Sequence, residues 1–234
     1  MDPPQVEKAV DALLTHVRNG TERSLTDTDS KIMAQVGFKM VPAKPKHNIR
    51  LTLAHSMYPK DPKICLITKD PQRFFKDLVK THDLPITKVL EISKLRKRHK
   101  EFEAKRILCD SYDVFLADDR IIPIIPRWFG SYFYKKGKAP IKVDLTKKNL
   151  KAEIDTAIKS FMLTGLGKGS NISIPCGHVS FDNEQLNENI ASALDDLTKK
   201  VKPGWKNIKS VHIKSEASVS LPIYNALEAH TIRL

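Results

Sequence analysis

The chain has 234 residues, 41% of them hydrophobic, enough for one large domain or two small ones with a folded core. Its formal charge is +13 and its pI is near 9.6, an excess that points to an anionic partner, nucleic acid first. No apolar run approaches the length of a membrane span, and the acidic, proline-containing start does not resemble a signal peptide, so neither a membrane partner nor export is expected.

In chain order, Pro3 and Pro4 open a helix with Val6, Ala9, Val10, Leu13, Leu14 and Val17 on one face, and Gly20 is its natural stop. Residues 21–41 are polar and mixed and are expected to be loop. Ile49, Leu51 and Leu53 alternate with polar residues as a strand does. The two prolines between Tyr58 and Pro62 resist both helix and sheet and make a hinge.

Beyond the hinge the pattern changes. Ile64–Ile67 reads as a short buried strand, and Asp70-Pro71 as a helix cap with proline at the first helical position, leading to Phe74, Phe75, Leu78 and Val79. Val89, Leu90 and Ile92 suggest a second strand. Ser93 is expected to cap one long charged helix through Leu108. Val114–Ala117 is a third strand, followed by a helix from Ile121 to Phe129 with Asp119 as its cap. Strands alternating with helices predict a parallel, three-layer α/β unit. The basic stretch from Lys135 to Lys142 is expected to be the return linker, after which Thr146 caps a helix carrying Leu150, Ile154, Ala157, Ile158 and Phe161.

The most informative stretch follows. Ile172 and Ile174 alternate with Asn171 and Ser173 as a half-buried strand, punctuated by Pro175 and Gly177. Asp182 stands where an N-cap belongs, with Gln185 three residues on, a capping-box pattern. Leu186, Ile190, Ala193, Leu194 and Leu197 then make one apolar stripe. Lys202-Pro203 closes the helix, Trp205 follows, and Ile208–Lys214 is a last strand. Pro222-Ile223-Tyr224 lies in a tail that the pattern does not assign.

The run Pro175, Gly177, Val179, Ser180 and Phe181 leading into a helix, then Lys202-Pro203, Trp205 and the Ile208 strand, resembles the C-terminal signature of the ribosomal protein L-one family. Earlier segments match more loosely but in the right order, closest to the eukaryotic members that act in ribosome assembly. The resemblance implies an α/β fold of two domains. A discontinuous α+β RNA-binding domain would span residues 1–58 and 143–234, and a Rossmann-like α/β domain would be inserted at 59–142. It implies a non-enzymatic assembly factor of the nucleolus, a monomer in isolation. Its partners would be pre-rRNA or rRNA and the assembly proteins of precursor particles. The family's RNA-reading Thr-Met-Gly motif is replaced here by Glu216, Ala217 and Ser218. That departure argues against the ribosomal stalk protein itself, and leaves open an interaction module that has lost RNA binding.

The Gly-rich run from Gly165 to Gly169 is not a phosphate loop: Met162 stands where the first glycine is required and Gly169 where Ser or Thr is. It precedes a strand, so it is not a dinucleotide fingerprint either. In the family a lysine of this loop contacts RNA, and Lys168 takes that place, flanked by Gly169 and Ser170. Lys46, Arg50, Lys214 and Ser215 complete the RNA-binding set expected of the split domain. In the inserted domain, Arg96, Lys97 and Arg98, with Lys135, Lys136 and Lys138, offer cations to phosphates. The rings from Trp128 to Tyr134 beside them can stack on unpaired bases or pack in the core.

The eight histidines and three scattered cysteines (Cys65, Cys109 and Cys176) show no metal spacing, so no metal or cofactor is expected, and the odd thiols are expected buried in a reducing compartment. Asp118 and Asp119, after a strand, are the single place a small α/β enzyme would use, and no catalytic partner accompanies them.

Overall fold

The structure, a computed structural model, describes residues 3–19, 30–43, 49–59, 61–69, 71–147, 149–163, 165–215 and 218–226. Expectations resting on Gly20, Lys46, Asp70, Glu216 and Ala217 fall outside these residues. In chain order the elements are α1 (Pro3–Asn19), β1 (Lys31–Phe38), β2 (Ile49–Thr52), β3 (Ile64–Thr68), α2 (Gln72–Thr81), β4 (Lys88–Glu91), α3 (Ile92–Arg98) and α4 (Phe102–Ser111). They continue with β5 (Val114–Asp118), α5 (Ile125–Phe129), α6 (Ser131–Lys135), β6 (Ile141–Val143), α7 (Leu150–Ile158), β7 (Ser160–Leu163), β8 (Asn171–His178), α8 (Asn183–Lys200), β9 (Ile208–Ser215) and β10 (Leu221–Asn225). The chain divides into two compact units, residues Met1–Met57 with Leu163–Leu234, and Tyr58–Met162.

The split unit is built on an antiparallel sheet of order β10-β9-β1-β8. Its central strand β1 lies in the stretch expected to be loop. Ile32, Ala34 and Val36 alternate inward and are buried, against Met33 and Gln35, which are half-exposed. The strand is stable because neighbours on both sides satisfy its backbone. Helices α1 and α8 cover one face of the sheet. All five residues of the α8 stripe are fully buried, the three leucines and Ile190 each contributing roughly 1.5–3 kcal/mol relative to exposure. Asp182 occupies the cap position of α8, but its side chain makes no capping bond; Asn183 donates instead to Asp11 of α1. Pro175 and Gly177 do not end β8. The ladder takes a bulge at Cys176, where Ile32 faces Gly177 and Met33 faces Pro175. The unassigned tail forms the edge strand β10, where Pro222 costs no interior ladder bond.

A polar stripe on α8 holds the segment after β1. Ser192 donates to the Thr52 carbonyl (3.1 Å), Asp196 accepts the Thr52 N–H (2.9 Å), and Lys200 donates to the Arg50 carbonyl (2.6 Å). The i, i+4 spacing of these three places them on one face. Asn189, fully buried within the apolar stripe, donates to the Cys176 carbonyl (2.8 Å) and accepts the His55 N–H (2.7 Å).

The inserted unit is a parallel sheet of order β4-β3-β5-β6 with helices on both faces. Strand β3 is buried along its whole length, as a parallel strand between two helical layers must be. Even-numbered Ile64 and Leu66 join one core with Val143, Leu150, Ile154 and Ala157; odd-numbered Cys65 and Ile67 join the other with Leu95, Phe115, Phe129 and Phe133. The segment read as a return linker therefore contains β6. The helix α7, expected in the split unit, packs on the inserted one, and the second division falls at 162/163 rather than at 142/143.

Local starts also differ from expectation. Pro71 is the N-cap of α2 instead of its first residue, and the Gln72 N–H is taken by Glu91 Oε2 (3.1 Å). The long charged helix is two, α3 and α4, broken after Arg98, and Glu91 rather than Ser93 stands at the first cap position. The segment from Ile121 to Phe129 is a 3-10 turn, a bend and the short α5, because Pro123 and Pro126 cannot sit inside a longer helix. Asp118, not Asp119, caps that turn, accepting the Arg120 N–H; Asp119 instead pairs with Lys142 (2.8 Å). Asn149 caps α7, and Thr146 instead bonds Asp144.

Candidate nucleic-acid interface

Among the described residues α1 and α8 are the helices that pack closely on the split unit's sheet, which leaves its other face open. Across it run rows fixed by register: Pro222, His212, Gln35 and Ser173; then Lys214, Met33 and Pro175; then Ser210, Gly37 and Asn171. None of these is acidic, and Lys31 adds a further cation at the strand's start. Gly37 leaves space in its row. A Cβ there would lie 3.0 Å from Ser210 Oγ and 3.2 Å from Asn171 Oδ1, so its absence lets two polar groups converge over the backbone.

The loop at 165–170 continues this face. Gly165 and Gly167 adopt φ of +92° and +81°, conformations that favour glycine. The Lys168 N–H closes a turn on the Gly165 carbonyl (3.2 Å), and the Ser170 carbonyl accepts the Phe38 N–H (2.7 Å), tying the loop to the end of β1. The Lys168 side chain is exposed. At the same end Asn207 grips Met40, donating to its carbonyl and accepting its N–H, both at 2.9 Å.

The expected residues of this unit do not form one cluster. Lys168, Gly169 and Ser170 lie at the Gly37 end, Lys214 at the Met33 row, about 13 Å along β1 at 3.3 Å per residue. Arg50 sits on β2 with its carbonyl bound by Lys200. Ser215 is buried and its N–H donates to Ser218 Oγ (2.8 Å), so it does not face a partner.

In the inserted unit the cations also separate. Arg96 and Lys97 line a cleft of about 400 Å³ with Ser93, Lys100 and Trp128, while Arg98 is not part of its wall. The Arg96 guanidinium lies 4.7 Å from the Trp128 ring centroid and that of Arg127 5.6 Å from it. Lys100 belongs to the same charged stretch, and Trp128 is one of the rings expected either to stack on bases or to pack in the core; only the fold brings α3 and α5 together and sets the two beside Arg96. Of the other rings, Phe129 and Phe133 are stacked core, whereas Tyr132 lies beneath Arg106 and Lys136. Lys135 and Lys136 are exposed. Lys138 is engaged: it donates to the Cys109 (2.9 Å) and Tyr112 (2.8 Å) carbonyls at the end of α4, a helix-terminating role that removes it from the set facing solvent.

The titrating groups that stand out are structural. Burial pushes the Cys65 and Cys176 thiols up to about 12, and burial followed by the charge of Asp113 pushes Tyr58 up to about 12. The two hydrogen bonds from Thr146 hold the Asp144 carboxyl below its usual range. Among the described residues no group of three or more His, Cys, Asp or Glu is placed to hold a metal, and no helix is long and apolar enough to cross a membrane.

Fold and surface together define a class: an antiparallel α+β unit interrupted by a parallel α/β unit, with cationic surface on each. The chain belongs to the Ribosomal protein L1p/L10e family, whose model matches residues 14–219. Two Schizosaccharomyces pombe proteins, each named "Putative ribosome biogenesis protein", are 38% identical over 80% of this chain and 50% of theirs, and 34% identical over 98% of this chain and 83% of theirs. Ribosomal L1 domain-containing protein 1 of Mus musculus is 31% identical over 97% of this chain and 52% of its own. The chain thus spans about half the length of two of these relatives.

Proposed function

We propose that the protein is a non-enzymatic ribosome-assembly factor that binds pre-rRNA within precursor particles, in the nucleolus and beside other assembly proteins. The observation that carries this is the open sheet face of the split unit: cationic and polar, without a carboxylate in its rows, and continued by the glycine-shaped Lys168 loop. Such a face suits a phosphate backbone, where each contact releases counterions. The names of the relatives support ribosome assembly as the setting. Phe74, Phe102 and Ile107, exposed on α2 and α4, are suited to the protein contacts.

Binding of rRNA fragments to the full chain, measured across a salt series, tests the reading. Lys168→Ala with Lys214→Ala is expected to weaken binding and to flatten the log–log salt slope by about 0.7–0.9 per lost phosphate contact. Unchanged affinity and slope would remove this face from the proposal. Sedimentation of the tagged protein separates the settings: precursor particles are expected, whereas recovery mainly in polysomes would make it a stalk protein of the mature subunit.

A further inference from the structure

The cleft of the inserted unit has a chemistry that the sheet face lacks. Helix α3 leaves the carboxyl end of β4, and the segment carrying α5 leaves that of β5, with β3 between them. The carboxyl edge of an open parallel sheet is where α/β folds place their ligands. At this edge the Arg96 guanidinium lies over the Trp128 ring, 4.7 Å from its centroid. Lys97 and Lys100 stand beside them. Among the described residues no carboxylate pairs with Arg96, Lys97 or Lys100, whereas neighbouring Lys94 is paired with Glu91 (3.4 Å) and bonded to Gln72. Three cations thus line one cleft, and among the described residues none of them stands within ion-pair distance of a carboxylate. The volume, about 400 Å³, lies within the range of small-ligand sites.

We propose that this cleft holds one unpaired nucleotide of an RNA strand. Its base stacks on the Arg96–Trp128 pair, and the phosphates on either side of it are taken by Lys97 and Lys100. The inference rests on the RNA-binding reading and adds the kind of RNA and the place that reads it. An acidic peptide would satisfy the lysines but leave the stacked π surface without a role, whereas a base satisfies both. A duplex has no free base face to offer.

The test uses the full chain carrying Trp205→Phe, so that Trp128 is the sole indole. Titration with an eight-nucleotide single-stranded RNA is expected to quench Trp128 fluorescence saturably, with a duplex of the same length about tenfold weaker. Lys97→Ala with Lys100→Ala is expected to weaken the quench about tenfold. Arg96→Lys, which keeps the charge but loses the planar stack, is expected not to restore what Arg96→Ala loses. Equal quenching by duplex, or by poly-glutamate, overturns the proposal, the latter in favour of an acidic protein segment. RNA that binds by anisotropy without quenching Trp128 overturns the cleft and leaves the sheet-face reading standing; RNA that does not bind at all overturns both. In the unsubstituted chain, 4-thiouridine crosslinks are expected within residues 93–100 or at Trp128, and crosslinks confined to the split unit would count against the cleft.

Discussion

Asn207 reads the backbone of Met40 from both sides: its Nδ2 donates to the Met40 carbonyl and its Oδ1 accepts the Met40 N–H, each at 2.9 Å. The side chain is buried, and the Asn207 carbonyl also accepts the Lys39 N–H at 2.7 Å. One amide therefore anchors the end of β1 beside the Lys168 loop.

Replacing Asn207 by alanine leaves two Met40 groups without their partner. The expected cost is about 1–3 kcal/mol, since an orphaned, partly buried group loses more than a hydrogen bond's net worth. Asn207→Asp keeps the acceptor but sets a buried carboxylate oxygen against the Met40 carbonyl, and is expected to cost at least as much as Asn207→Ala. Urea denaturation of the three proteins checks the order.

Gly177 faces α8 with no room for a side chain. A Cβ at this position would lie 2.7 Å from Leu186 Cδ2 and 3.0 Å from the Phe181 ring. Gly177→Ala is expected to destabilise by about 1–3 kcal/mol through overpacking. Adding Leu186→Ala should cost less in that background than alone, because the cavity admits the new methyl. A thermodynamic cycle of the four proteins measures the coupling, and additivity would refute the contact.

Lys138 and Lys97 carry the same charge and are expected to behave differently. Lys138→Met removes two hydrogen bonds at the end of α4 and is expected to cost about 1–2 kcal/mol of stability while leaving RNA affinity near wild type. Lys97→Met is expected to do the reverse. Thermal melts and RNA titrations on both variants decide it.

The buried thiols make an alkaline prediction. In the folded protein Cys65 and Cys176 hold their protons up to about 12, against an ordinary value of 9.0. Above pH 9 the unfolded chain therefore binds fewer protons than the native one, and stability falls as pH rises. The contribution is complete below pH 9 and is lost progressively between 9 and about 12, at up to about 1.4 kcal/mol per pH unit for each thiol. Tyr58 adds to the fall from pH 10 upward. Urea midpoints from pH 8 to 10.5 should drop, and drop less steeply in Cys65→Ala and Cys176→Ala.

The long amphipathic helices were legible because their apolar spacing repeats over several turns, as at Leu186, Ile190 and Leu197 in α8. β1 was not, although Ile32, Ala34, Val36 and Phe38 alternate: Ala34 carries little apolar weight and Gly37 little strand propensity. Both are small for reasons of packing that appear only once the partner strands are in place. The break between α3 and α4 falls among good helix formers, so propensity gave no sign of it; tertiary packing sets it, bringing Leu95 and Leu108 into one core. β6 is three residues long, too short for a period to show. At the candidate sites, the glycine turn before a strand was legible around Lys168, whereas its expected RNA contact came from the family resemblance alone. Charge alone could not separate Lys97, which lines a cleft, from Lys138, which ends a helix.

The division of the chain also orders events during its synthesis. Strand β1 needs β8 and β9, and Thr52 must wait for Asp196, made 144 residues later. At about 5–20 residues per second that is a delay of roughly 7–30 s. The inserted unit needs nothing made after Met162, so it can be folded on the ribosome while the amino-terminal helix and β1 still lack their sheet partners. The split unit is thus completed after the unit inserted in it, and its apolar strand edges are the surfaces a nascent-chain chaperone would have to cover.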